Sequence, residues 1–137
     1  MAFLARWLEP IYALMRIVVG FLFLAHGVQK LNVLFAGGEP PMPLPMFWLT
    51  ALIESLGGFL VMIGLFAGPA AFVCSGTMAV AYFFAHQPRG LLPIQNDGEL
   101  AALYAWVFLF IAARGSGVWS VDAVRGAAGV APARSAA

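Results

Sequence analysis

The chain has 137 residues, 63% hydrophobic and 9% charged, with a formal net charge of +1 and a single cysteine, Cys74; its mean hydropathy is +0.93. Soluble domains carry about a quarter of their residues as charged groups, and so short a chain has no soluble core that could bury this much apolar surface. The composition reads as an integral membrane protein and excludes a nucleic-acid footprint, which needs clustered Lys and Arg, as well as any internal disulfide or Cys-x-x-Cys chemistry.

Residues 1–9 form a short lead with Arg6, Trp7 and Glu9, a composition suited to the membrane interface. Pro10 fits the first turn of a helix, where its missing N–H would have no partner anyway. The first span is predicted over 10–34, near the upper end of the ~17–25 residues a crossing needs. Because that run carries Arg16 and is long enough to cross, it reads as a span rather than a cleaved leader. Along it Arg16, Gly20, Phe23, Gly27 and Lys30 recur at helical spacing and make one stripe, with His26 on its edge. Gly20 and Gly27 allow another backbone to approach closely. A face with such cations belongs against a helix, not lipid.

Residues 37–45 hold four prolines and two glycines, so no helix continues through them. A second span is predicted over 46–66, with Glu54 followed by Gly57 and Gly58. Residues 67–69 read as a turn, Gly68 ending one helix and Pro69 starting the next. The third span, 69–85, is rich in Ala, Ser and Gly, and Cys74 there reads as a small packing residue. A polar loop over 86–98 leads to the shortest span, 99–113, whose N-terminus Asp97 and Glu99 complement electrostatically. Beyond Arg114, Ser120 is placed to cap one short helix, and residues 126–137 read as a flexible tail. Trp7, Tyr12, Trp48 and Trp119 read as interface anchors.

Four spans put both termini on one side, which carries Arg6, Arg114, Arg125 and Arg134 against Lys30 and Arg89 on the other. The positive-inside rule makes that side cytoplasmic. Glu54 then lies roughly 10 Å below the outer end of its helix, at the depth of His26 on the antiparallel neighbour. His26, Lys30, Glu54, Asn96, Glu99 and Tyr104 are the candidate ligand-binding or proton-relay residues, since ionisable groups inside a membrane commonly mark a site or pathway. Fastening of two helices by a mutually satisfied His26–Lys30–Glu54 triad is the equally weighted alternative. Arg16 reads as structural, its head snorkelling to lipid phosphate, Glu9 or Asp122. His26 and His86 share no ligand-spacing motif, so no metal site is expected.

The run Arg16-x3-Gly20-x5-His26-Gly27-x2-Lys30 resembles the DoxX family of small bacterial membrane proteins. So do Glu54-x2-Gly57-Gly58 with Gly64, the stretch Asn96-Asp-Gly-Glu99-x3-Leu103-Tyr104, and Gly117-x2-Ser120-x-Asp122. The resemblance implies an all-α transmembrane four-helix bundle in a bacterial inner membrane, one domain, with both termini cytoplasmic. In that frame Arg16, Gly20, Gly27, Gly57, Gly58 and Asp122 are structural. The family takes its name from a subunit of an archaeal quinol-oxidising, thiosulfate-linked system, and some members associate with membrane oxidoreductase complexes. The implied role is an accessory oxidoreductase subunit in contact with quinone, with no covalently bound cofactor and with Phe23, Tyr82 and Tyr104 flanking the ring. No Cys cluster or Gly-x-Gly-x-x-Gly is present, so a partner subunit would carry the redox centre. A small-ligand carrier and a purely structural scaffold stay open beside it.

Overall fold

A single turn, α1 (Ala2–Ala5), precedes the first long helix, α2 (Leu8–Phe35), which carries Pro10 in its first turn as expected. The computed structural model describes residues 2–129, and the described residues are all-helical, without a strand. Pro43 caps α3 (Leu44–Leu52) and Pro45 sits in its first turn. One turn of π spacing, Ile53–Gly57, joins α3 without a break to α4 (Gly58–Ile63). α5 (Ala67–Ala81) likewise continues through a π turn, Tyr82–His86, and a short 3₁₀ turn, Gln87–Arg89. α6 (Glu99–Arg114) and α7 (Val121–Gly129) complete the order.

Among the described residues three runs are long and apolar enough to cross a bilayer: Leu8–Phe35, Leu44–Ile63 and Ala67–Arg89. α6 is apolar but has 16 residues, about 24 Å at 1.5 Å rise, against a hydrocarbon core of roughly 30 Å.

Both boundaries of the second and third spans differ from the sequence expectation, the second starting at Leu44 and the third at Ala67. The second span ends at Ile63 rather than residue 66, because Gly64 takes a left-handed conformation (φ 70). The Leu65 N–H then reaches Leu60 O at 3.0 Å and the Gly64 N–H reaches Val61 O at 3.2 Å, the two bonds of a Schellman end. Gly68 and Pro69 are therefore not the turn but the first turn of α5, where proline removes no helical bond. The third span also runs past residue 85 to Arg89, which moves His86 from the loop onto the helix. In the tail, Ser120 Oγ accepts the Ala123 N–H at 3.1 Å and so caps α7. Residues 126–129 close that helix, and the rest of the expected flexible segment lies outside the described residues.

The stripe on α2 is the packing face. Arg16, Gly20, Phe23 and Gly27 are all buried, with Tyr12 and Ala13 extending the face toward the N-terminus. A Cβ on Gly20 would come 2.5 Å from the Met62 amide nitrogen, and one on Gly58 would come 2.5 Å from the Leu24 amide nitrogen. α2 and α4 thus touch backbone to backbone, as small residues permit in lipid. Gly57 does not serve that contact: the side it leaves open faces Cys74 Sγ on α5. Turned 100° from Gly58, it points to the other neighbour. Phe23, Cys74, Met78, Tyr104, Phe108 and Ile111 fill the centre between α2, α5 and α6.

Candidate functional site

Two buried polar centres sit at opposite ends of this core. At the end where α2 begins and α4 and α6 finish, Arg16 is fully buried. Its Nη1 donates to Val61 O at 2.6 Å and Met62 O at 2.8 Å, and its Nη2 to Trp119 O at 2.8 Å. The guanidinium therefore closes the C-terminal carbonyls of α4, where a helix presents its negative end, and ties down the segment before α7. This corrects the snorkelling expectation. Glu9 pairs with Arg114 instead, and the Asp122 carboxylate accepts the Phe66 N–H at 2.8 Å and the Ser116 hydroxyl at 2.6 Å. Tyr12 adds a hydroxyl bond to Gly115 O at 2.5 Å. The partners of the Arg16 Nη atoms all belong to the chain, while its Nε is buried without a hydrogen-bond partner among the described residues; this centre fastens α2 to α4 and to the segment before α7.

The other centre is open. A cavity of about 280 Å³ lies among the C-terminal part of α2, the α3–π segment, the far end of α5 and the start of α6. Phe23, Met78, Ala101 and Tyr104 supply apolar wall, while Lys30, Glu54, His26, His86 and Asp97 bring ionisable groups to it. Glu54 is 3% exposed, and its Oε1 accepts the Lys30 ammonium at 2.6 Å. Thr50 Oγ1 lies 3.4 Å from the same ammonium, and the Phe47 ring faces it at 5.9 Å. Phe47, Thr50 and Glu54 form one face of the helix at steps of three and four; that spacing was available in the sequence and went unused there.

Glu54 Oε2 is buried and has no hydrogen-bond partner among the described residues. A carboxylate oxygen left so in a low-dielectric setting is costly, and the cavity beside it is where a donor can be placed. Glu54 also belongs to the π turn Ile53–Gly57, and His86 ends the π turn Tyr82–His86. Both π turns of the chain's described residues thus deliver an ionisable side chain to the same cavity, and such turns recur at functional sites.

The expected set converges only in part. Lys30, Glu54, Tyr104 and Phe23 meet at the cavity as expected, and His26 also lines it. His26 is nonetheless exposed and makes no hydrogen bond to Glu54 among the described residues. Rotated 100° from Gly27, its ring turns toward α6, lying edge-on to Tyr104 with centroids 6.3 Å apart. Asn96 is buried but staples its own loop: Nδ2 donates to Gly90 O at 2.8 Å and Oδ1 accepts the Gly98 N–H at 2.9 Å. Glu99 is exposed in the first turn of α6, about 200° around the helix from the cavity-lining Ala101. Tyr82 lies on the opposite face of the α5–α6 pair, lining a groove with Trp106 rather than the cavity. Sequence reasoning missed Thr50 and Met42, placed Asp97 only as a charge at the entry of the fourth span, and left His86 in the loop, from which the continuation of α5 past Ala85 moves it.

Among the described residues no group of three or more His, Cys, Asp or Glu is arranged to hold a metal ion.

Comparison with known proteins adds the following. The profile of the DoxX family matches residues 11–87, a stretch that covers nearly all of α2 through the π turn that ends at His86. A relative in Haemophilus influenzae, described as an uncharacterized protein, is 40% identical over 116 residues, which are 80% of this chain and 87% of that protein. No solved structure matches.

Proposed function

Because this chain belongs to the DoxX family, we propose that it is a quinone-contacting accessory subunit of a membrane oxidoreductase, with the Glu54 cavity as its binding site. The orphaned Glu54 Oε2 carries this reading. Oε2 accepts the hydroxyl hydrogen of a quinol, Lys30 holds the other carboxylate oxygen in place, and Phe23 and Tyr104 flank the ring. A cavity of about 280 Å³ is at the lower bound of small-molecule sites and suits one ring. His26 supports a ligand arriving from the bilayer. It is exposed while lining the cavity, and stands nine residues, about 14 Å, before the end of α2. The cavity is therefore open at the depth of lipid chains. Oxidation of the quinol releases two protons and two electrons: Glu54 takes one proton, the second leaves from the far hydroxyl to the membrane surface, and the electrons pass to a redox centre on a partner subunit.

The test is organic extraction of the protein purified from native membranes, followed by mass spectrometry. Quinone should be retained by the wild type and lost from Glu54→Gln. A water-soluble metabolite in its place would move the reading to a carrier, and an empty extract would leave a scaffold.

In this reading α6 is the fourth crossing, helped across by the polar segments at its two ends, and the membrane is a bacterial inner membrane. With Arg16 and Lys30 both engaged inside the bundle, the flanking cations are Arg6, Arg114, Arg125 and Arg134 on the terminal side against Arg89 on the other. The termini are cytoplasmic on that bias. A reporter active only outside the cytoplasm should be silent when fused after Ala137 and active when inserted at Pro40–Pro45. The reverse pattern would overturn the orientation.

A further inference from the structure

At the mouth of the cavity one nitrogen has two incompatible neighbours. His86 Nδ1 lies 2.8 Å from Arg89 Nη2 and 3.1 Å from the backbone carbonyl oxygen of Asn96. A guanidinium only donates and a carbonyl only accepts. The neutral ring accepts from Arg89 as the Nε2–H tautomer, since a proton on Nδ1 would set its N–H against the Arg89 donor; the imidazolium, protonated on both nitrogens, can donate only to Asn96 and faces Arg89 as one cation faces another.

Each alternative partner is already in place. The Asn96 carbonyl is fixed, because the Asn96 side chain is bonded to Gly90 O and to the Gly98 N–H. Arg89 keeps its stem on the helix through Nε, which donates to Ala85 O at 3.1 Å. Its Nη1 stands 3.9 Å from Asp97 Oδ2, beyond hydrogen-bond length but within a small rotation of it. His86 and Asp97 both line the cavity. The other charged or titratable groups facing it are His26 and Lys30 from α2, Glu54 from the π turn and Tyr104 from α6. Of these Lys30 and Glu54 are paired with each other through Glu54 Oε1.

We propose that His86 is a proton-operated switch at this mouth: neutral, it holds Arg89 and leaves the exposed Asp97 carboxylate at the rim without a hydrogen bond from Arg89; protonated, it turns to the Asn96 carbonyl and hands Arg89 to Asp97. Histidine is the side chain suited to switch between about pH 5 and 8. Proton uptake makes the rim one charge more positive, so the protonated rim attracts an anionic group in the cavity more strongly than the neutral rim does. That last consequence rests on the cavity being a binding site; the switch itself does not.

The test uses the full chain in lipid nanodiscs with no ligand added, so its failure is distinct from a failure of the binding reading. Arg89 side-chain ¹⁵N and Asp97 ¹³Cγ signals are followed by NMR from pH 8 to pH 5. In the wild type both should shift with the midpoint of the His86 ring. In His86→Asn, which keeps an acceptor toward Arg89 and cannot titrate, both should stay at their pH 8 positions. In Arg89→Gln the His86 ring should still titrate while Asp97 no longer follows it. Shifts of equal size in His86→Asn, or a titrating His86 beside motionless Arg89 and Asp97 in the wild type, would overturn the switch.

Discussion

Replacing Arg16 by Met should leave little folded protein. The substitution keeps the volume of the side chain but strips the Val61, Met62 and Trp119 carbonyls of their donor, in a place where Arg16 is fully buried and water cannot substitute. Bonds to a charged group contribute about 1.5–3 kcal/mol each, so two to three of them amount to several kcal/mol, against a total stability of roughly 5–15 kcal/mol. The melting temperature in detergent should fall by more than about 10 °C if any folded protein survives. Arg16→Lys should fall between: it keeps the charge, but one ammonium cannot reach the carbonyls of α4 and of Trp119 in the geometry of a fork. A melting temperature for Arg16→Met within a few degrees of wild type would mean that the carbonyls find other partners.

The second large effect concerns Lys30 and Glu54, and the two halves of the pair should not be equal. The Glu54 side chain is 4% exposed and that of Lys30 25% exposed. Lys30→Met therefore strands a carboxylate in the interior and should cost about 3–5 kcal/mol, the usual penalty for removing one partner of a buried pair. Glu54→Gln leaves an ammonium that can extend along its stem toward the membrane surface, and should cost less. Combining the two removes both charges, and part of the loss should return, a coupling of about 1–3 kcal/mol in a double-mutant cycle. Additivity within about 0.5 kcal/mol would show that the 2.6 Å contact does no energetic work.

Much of this architecture was legible in the sequence because the bilayer leaves a chain few options. The run of apolar residues gave the long helices, Pro10 marked the start of the first, and the step of four, three, four from Arg16 to Gly27 identified the buried face; the prolines before the second span read as loop, although Pro45 sits in the first turn of α3. Lys30 and Glu54 could be paired from equal depth on adjacent helices alone. Other features depend on the direction in which single residues point. Gly57 and Gly58 point about 100° apart on the helix, so Gly57 faces Cys74 while Gly58 faces α2, although in sequence the two read as one pair with one role. His26 fell one position off the stripe, enough to turn it from Glu54 to Tyr104. The end of the second span was misplaced because Gly64 and Gly68 are equally good helix stops in sequence; the Leu65–Leu60 bond and the Arg16 guanidinium select Gly64. Arg16 itself looked like a snorkelling residue because nothing in the sequence announces that carbonyls from α4 and from residue 119 converge on its position.

The binding role of the Glu54 oxygen is tested most directly by titrating a short-tailed benzoquinol into the purified protein in nanodiscs, by calorimetry, for the wild type and for Glu54→Gln. The wild type should bind saturably, and the variant, which offers an amide where the orphaned carboxylate oxygen stood, should bind roughly tenfold more weakly, the loss of one charge-assisted hydrogen bond. Equal affinity in the two proteins, or no saturable binding to the wild type, would contradict it.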